Sequence, residues 1–201
     1  TSPGVAAGPL SARLRVLIGA LTAFSLLNFP DALLLLRASE LGLGTAGVIA
    51  AYVVYNAVYA GVSYPAGALS DRLPRHLVFA AGLAFFAVGY LGLAFAPSAG
   101  WVFVVLPLYG GFAACTDGVG KAWVASLAPA DRQGAAQGAF QGLTGAAVLV
   151  AGLWAGFAWG GDGRLPLLLS GSVGLVFAVA LAVSGHRLDA RQPAEVATAA
   201  G

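Results

Sequence analysis

The chain has 201 residues, of which 59% are hydrophobic and only 9% charged, and its net charge is +2; the mean hydropathy is +0.87. A water-soluble domain carries about 25% charged residues, so a soluble fold is all but excluded, and a net charge this small leaves no electrostatic footprint for nucleic acid. Cys115 is the single cysteine, which excludes an intrachain disulfide and any cysteine-based metal cluster.

About 20 apolar residues in helical form cross the roughly 30 Å hydrocarbon core of a bilayer. Residues 1–13 form a short N-terminal segment, and the apolar stretch that follows is too long for the core of a signal peptide and has no cleavage site behind it. Six such stretches predict spans at about 14–37, 46–69, 76–96, 100–126, 134–159 and 165–184. Turns rich in Gly, Pro and charge separate them at 39–42, 67–76, 96–98, 129–134 and 161–164. Residues 185–201 read as a polar, alanine-rich tail expected to be disordered. Because position 1 is not Met, the chain is expected to begin inside a longer reading frame. The class that follows is all-α: a polytopic membrane protein.

Arginines set the orientation. Arg13, Arg15, Arg72, Arg75, Arg132, Arg187 and Arg191 fall on the face of the N-terminus, and only Arg37 and Arg164 on the other. Both termini and the turns at 67–76 and 129–134 are therefore expected in the cytoplasm, with the protein in the cell's inner (cytoplasmic) membrane. Trp101, Trp154 and Trp159 fall near the outer boundary and Trp123 near the inner one, as interfacial belts would place them. The third and sixth spans carry no charge beyond their ends and are expected at the periphery. The other four carry Asn28, Asp31, Asn56, Asp117, Lys121, Gln137, Gln141 and Thr144, which avoid lipid and are expected to line an interior.

At a helical rise of about 1.5 Å per residue, Asn56 and Thr144 lie near mid-span and Asn28 slightly outside it. Asp117 falls about 5 Å to the cytoplasmic side, with Lys121 one turn deeper, and Asp31 about 9 Å the other way, too far to pair with Lys121. Asp117 and Lys121, at i and i+4, share a helix face. Either Asp117 carries a proton or cation, or the two form a permanent ion bridge that steadies the fourth span. Tyr52, Asn56, Tyr59 and Ser63 form one stripe on the second span, suited to ligand contact or to hydrogen bonding between helices. Gln137, Gln141 and Thr144 form a similar stripe on the fifth, suited to a gate or to packing. Gly110, Ala114 and Gly118, and Gly134, Gly138 and Gly142, recur at four-residue spacing and are expected to be helix contacts. Asp31 follows Pro30, where a kink frees backbone groups; it either caps the helix that restarts there or is a second proton site.

The turn Gly67-Ala68-Leu69-Ser70-Asp71-Arg72-Leu73-Pro74-Arg75-His76 resembles the G-x-L-x-D-R-x-G-R-[KR] loop of the major facilitator superfamily of secondary transporters. Eight of the ten residues fit, Pro74 standing for a glycine and His76 for Lys or Arg. Asn28-Phe29-Pro30-Asp31-Ala32, Ser63-Tyr64-Pro65-Ala66-Gly67, Tyr109-Gly110, Thr116-Asp117-Gly118 and the 127–134 turn extend the resemblance over about 14–184. These segments are similar to the second half of bacterial, drug-efflux-like members. The resemblance implies a six-transmembrane-helix half, helices seven to twelve of twelve, with residues 1–13 as the linker between halves. It implies a small-molecule substrate held between the halves near the midplane and moved by alternating access, by proton-coupled efflux. The partners it implies are the lipid bilayer and a missing N-terminal half or a second copy; no cofactor or metal is expected. Tyr109 and Thr116 join the pathway candidates. Gly67, Asp71, Arg72 and Arg75 would form a cytoplasmic latch favouring one state of the cycle, or a basic turn that only fixes topology.

The alternative is a non-transporting half-length membrane protein, a relic or assembly partner. An enzyme is not expected: His76 and His186 both lie at the cytoplasmic face, Cys115 has no base near it in sequence, and no metal-ligand or nucleotide-binding spacing is present.

Overall fold

The computed structural model describes residues 10–189; most of the N-terminal segment and the tail from residue 190 onward lie outside them. The described residues form α1 (Ala12–Ser25), α2 (Asp31–Glu40), α3 (Thr45–Arg72), α4 (Arg75–Ala94), α5 (Val102–Leu127), α6 (Gln133–Phe157) and α7 (Arg164–Ser184), with no strand among them. Each of α3 to α7 is long and apolar enough to cross a membrane. The first expected span is divided into α1 and α2. Ser11 starts α1 by accepting a hydrogen bond from the Leu14 amide. Pro30, which has no amide proton and a fixed φ, separates the last residues of α1 from the start of α2.

Helices α3, α5, α4 and α7 pack side by side in that order. Helix α1 lies on α6, and this pair meets the row more sparsely, through α5. The third span, expected at the periphery, is instead the centre: 61% of the apolar core of α4 is buried, as is that of α5, against 11% for α3 and 17% for α6. Its all-round apolar surface is met by protein on several sides rather than by lipid. A Cβ on Gly89 would stand 2.8 Å from Tyr109 Cβ, so α5 crosses α4 closer than any side chain permits. Helix α7 keeps the expected peripheral position and exposes Val176, Val179 and Val183.

The short ends are tied by side chains. Arg37 is buried, and its Nε donates to the Leu93 carbonyl at 3.3 Å. Arg164 Nε donates to the Ala94 carbonyl at 3.0 Å. Two arginines thus cap the negative end of α4. Glu40 pairs with Arg37 at 3.8 Å and accepts the Trp159 indole N–H at 2.8 Å. Gly42 (φ 102°) and Gly163 (φ 65°) make the flanking turns, and a side chain on Gly163 would also collide with Trp159. Three of the four indoles contact protein. Trp123 is fully buried against Phe79, Trp159 is buried, Trp154 donates to the Leu26 carbonyl, and only Trp101 is exposed.

At the opposite end the tail does not leave directly. Gly185–Arg187 forms a 3-10 turn, His76 Nδ1 lies 2.5 Å from Asp189 Oδ2, and Arg13 donates to the Asp189 carbonyl at 3.4 Å. The expected disorder therefore does not begin at residue 185.

The expected small-residue contacts are only partly made. A Cβ on Gly110 would lie 2.8 Å from the Tyr55 carbonyl, whereas Gly118, Gly134, Gly138 and Gly142 face open space within the chain. Gly110→Ala should cost about 1–3 kcal/mol, since a backbone atom cannot step aside as a side chain can. Gly118→Ala, two turns further along α5, should leave the thermal unfolding temperature in detergent unchanged. Equal melting of the two variants would rule out the close α3–α5 contact.

Candidate functional site

Helix α5 carries four of the sequence candidates: Tyr109, Thr116, Asp117 and Lys121. Tyr109, Gly110 and Thr116 are buried where α5 meets α3 and α4, and Asp117 and Lys121 are exposed on one face. A cleft of about 380 Å³ runs between α1, α5 and α6, and six of the sequence candidates border it: Asn28, Thr116, Asp117, Lys121, Gln141 and Thr144. Its apolar wall includes Phe24, Phe112 and Phe140. A second cleft of about 240 Å³ separates α3 from α5 and is bordered by Tyr59, Gly67, Asp117 and Lys121. Asp117 therefore stands on the ridge between the two.

The Tyr59 hydroxyl donates to Asp117 Oδ2 at 3.1 Å. Lys121, one turn along, does not bridge to it: no ion pair within 4 Å joins the two among the described residues. The permanent ion bridge is absent, and the contact that holds the carboxylate comes from α3. Gln137 donates to the Lys121 carbonyl at 2.7 Å, which ties the end of α5 to the start of α6.

A separate network forms at the break in the first span. The Tyr109 hydroxyl lies 3.1 Å from Asn28 Oδ1 and 3.2 Å from Asp31 Oδ1. The Tyr90 hydroxyl lies 3.3 Å from both Asn28 Oδ1 and the Phe29 carbonyl. Each hydroxyl has one proton to donate, so the acceptors share them. Asp31 sits in the first turn of α2, where its charge meets the positive helix end, and its carboxylate accepts from Tyr109. Asp31, Tyr52, Tyr55 and Tyr109 border a narrow crevice, with Tyr55 stacked between Tyr52 and Tyr109 at centroid distances of 5.5 and 5.6 Å.

Two candidates turn their polar groups back onto their own helices. Asn56 is exposed and donates back to the Tyr52 carbonyl one turn earlier at 2.8 Å. Thr144 borders the large cleft but returns its hydroxyl to the Phe140 carbonyl. Tyr55 and Tyr90 were not among the candidates. Tyr55 lies three residues after Tyr52 and four before Tyr59, on the same helical face, so periodicity held the signal. Tyr90 was hidden by the apolar composition of its span.

In the turn at 67–76, α3 continues to Arg72 and α4 begins at Arg75, with only Leu73 and Pro74 between them. Gly67 is inside α3, and Asp71 and Arg72 are exposed and form no ion pair among the described residues. Arg75 is half-buried, with Nε lacking a partner.

A family model described as Major Facilitator Superfamily matches residues 7–200. Over 157 residues the chain is 34% identical to an uncharacterized MFS-type transporter of Methanocaldococcus jannaschii, an alignment covering 75% of this chain and 39% of that protein. The chain thus spans well under half the length of this relative.

Removing the Tyr109 hydroxyl (Tyr109→Phe) should lower stability by about 1–3 kcal/mol, because the half-buried Asn28 and Asp31 oxygens lose a donor they share. Tyr59→Phe, beside a carboxylate open to two clefts, should cost less. Thermal unfolding of the two purified variants in detergent compares them, and an equal loss would show that the Tyr109 network is no more structural than the Tyr59 contact.

Proposed function

Because the chain belongs to the Major Facilitator Superfamily, we propose that it is one six-helix half of a secondary transporter that moves a small organic solute by alternating access. The observation that carries this reading is the position of Asp117, a carboxylate on the ridge between two open clefts, held by a single phenol. A carboxylate open on both sides can take up a proton from one and release it to the other as helices shift. This supports proton-coupled efflux, with Asp117 as the carrier and Lys121, Asn28, Gln141 and Thr144 around the solute.

The partner is the other half of the transporter. The low burial of α3 and α6 leaves their faces to be covered, and the longer relative has room for a further bundle. By resemblance this is the C-terminal half of a drug-efflux-like member. Its orientation, with both termini in the cytoplasm of an inner membrane, rests on the arginine bias. Asp71 and Arg72, without ion-pair partners among the described residues, then serve as a latch toward the other.

In proteoliposomes of the intact protein, Asp117→Asn should abolish the dependence of solute flux on a pH gradient. Unchanged coupling would leave Asp117 a structural role only. Cysteines at exposed Ser98 and Asp131 should react with a membrane-impermeant maleimide from opposite sides, with the buried Cys115 silent; reaction from one side would overturn the topology.

A further inference from the structure

The large cleft presents two opposite charges that do not neutralise each other directly. Asp117 and Lys121 both border it, one turn apart on α5, without an ion pair. An unpaired charge inside a bilayer costs at least about 2.5–3.5 kcal/mol, so each end of such a pair favours a counter-charge. A solute that is only cationic satisfies Asp117 and is repelled by Lys121. One that is only anionic meets the converse. A solute with an ammonium and a carboxylate satisfies both, and two charged groups on one helix face, more than 4 Å apart, can each take one end of an amino-acid head group.

The remaining lining is suited to the rest of such a molecule. Phe24, Phe112 and Phe140 form an apolar wall beside the charged pair, with the Gln141 amide at the rim. At about 380 Å³ the cleft is at the small end of ligand pockets, which run from about 300 to 1,000 Å³.

We propose that the cleft between α1, α5 and α6 binds a zwitterionic solute with an apolar body, its ammonium set against Asp117 and its carboxylate against Lys121. The proposal rests on the transporter reading and adds the substrate class.

Three probes with one body separate the charges: phenylalanine, its methyl ester, which is cationic, and N-acetylphenylalanine, which is anionic. Thermal shift of the intact purified protein should show phenylalanine acting at about tenfold lower concentration than either derivative, since each derivative loses one charge-assisted contact. Lys121→Gln should raise the methyl ester to parity with phenylalanine, and Asp117→Asn should do so for the N-acetyl form. If a variant fails to fold, the order in the unsubstituted protein decides. Equal or stronger binding of a singly charged form, or no shift with any probe, overturns the proposal. Counterflow of labelled phenylalanine in proteoliposomes keeps the two readings apart. The expected binding order without flux sustains the site and removes the transport function. Proton-driven flux of another solute, with no response to the three probes, removes the zwitterion and leaves the transporter.

Discussion

A helix interrupted within a bilayer leaves carbonyl groups that water cannot reach, and each must find a donor from protein. In this chain the interruption falls at residues 26–30, and the surrounding helices are arranged to meet it. The Trp154 indole on α6 donates to the Leu26 carbonyl and the Tyr90 hydroxyl on α4 approaches the Phe29 carbonyl. Phe29 is buried with its ring 4.7 Å from Tyr90 and 6.2 Å from Trp159, contacts worth about 0.5–1.5 kcal/mol each beyond area burial. Pro30 lies against α6 at Gly152, where an added Cβ would come to 3.0 Å. The break thus holds α1, α4 and α6 in register, and it brings Asn28 and Asp31 to the tyrosines of α5 and α4.

The two ends of the bundle are bound differently. At the end of the short turns, Arg37, Glu40, Trp159 and Arg164 close on one another and on the last carbonyls of α4. These charges are spent on structure. Toward the other end, one cleft opens between α1, α5 and α6 and a second between α3 and α5, both beside Asp117, whose charge is not matched by a direct bridge. The same residue classes therefore stabilise one end and remain available for chemistry at the other. The difference lies in whether a helix terminus is within reach.

Much of the site was legible as residue types: polar groups in apolar spans had to avoid lipid, and six of them border a single cleft. What those groups touch was not legible. The i, i+4 spacing of Asp117 and Lys121 allowed a bridge, but Tyr59 from another helix holds the carboxylate. The all-apolar composition of the third span suggested a lipid-facing helix, and packing made it the centre. An apolar surface has the same composition whether it meets lipid or protein, and only the glycines that admit α5 distinguish the two.

The sequence by itself determined that this is a helical membrane protein, where its long helices lie, which family it resembles and that the chain breaks at Pro30. These are consequences of local hydropathy, of charge order and of a missing amide proton, all carried by neighbouring residues. Tertiary structure alone decided that Trp123, Trp154 and Trp159 pack against protein, that Arg37 and Arg164 cap α4, and that Asp117 stands between two clefts. Each of these depends on a partner 50 to 130 residues away or on the space left between helices. Such pairings arise from the packing of whole helices, which no single segment specifies.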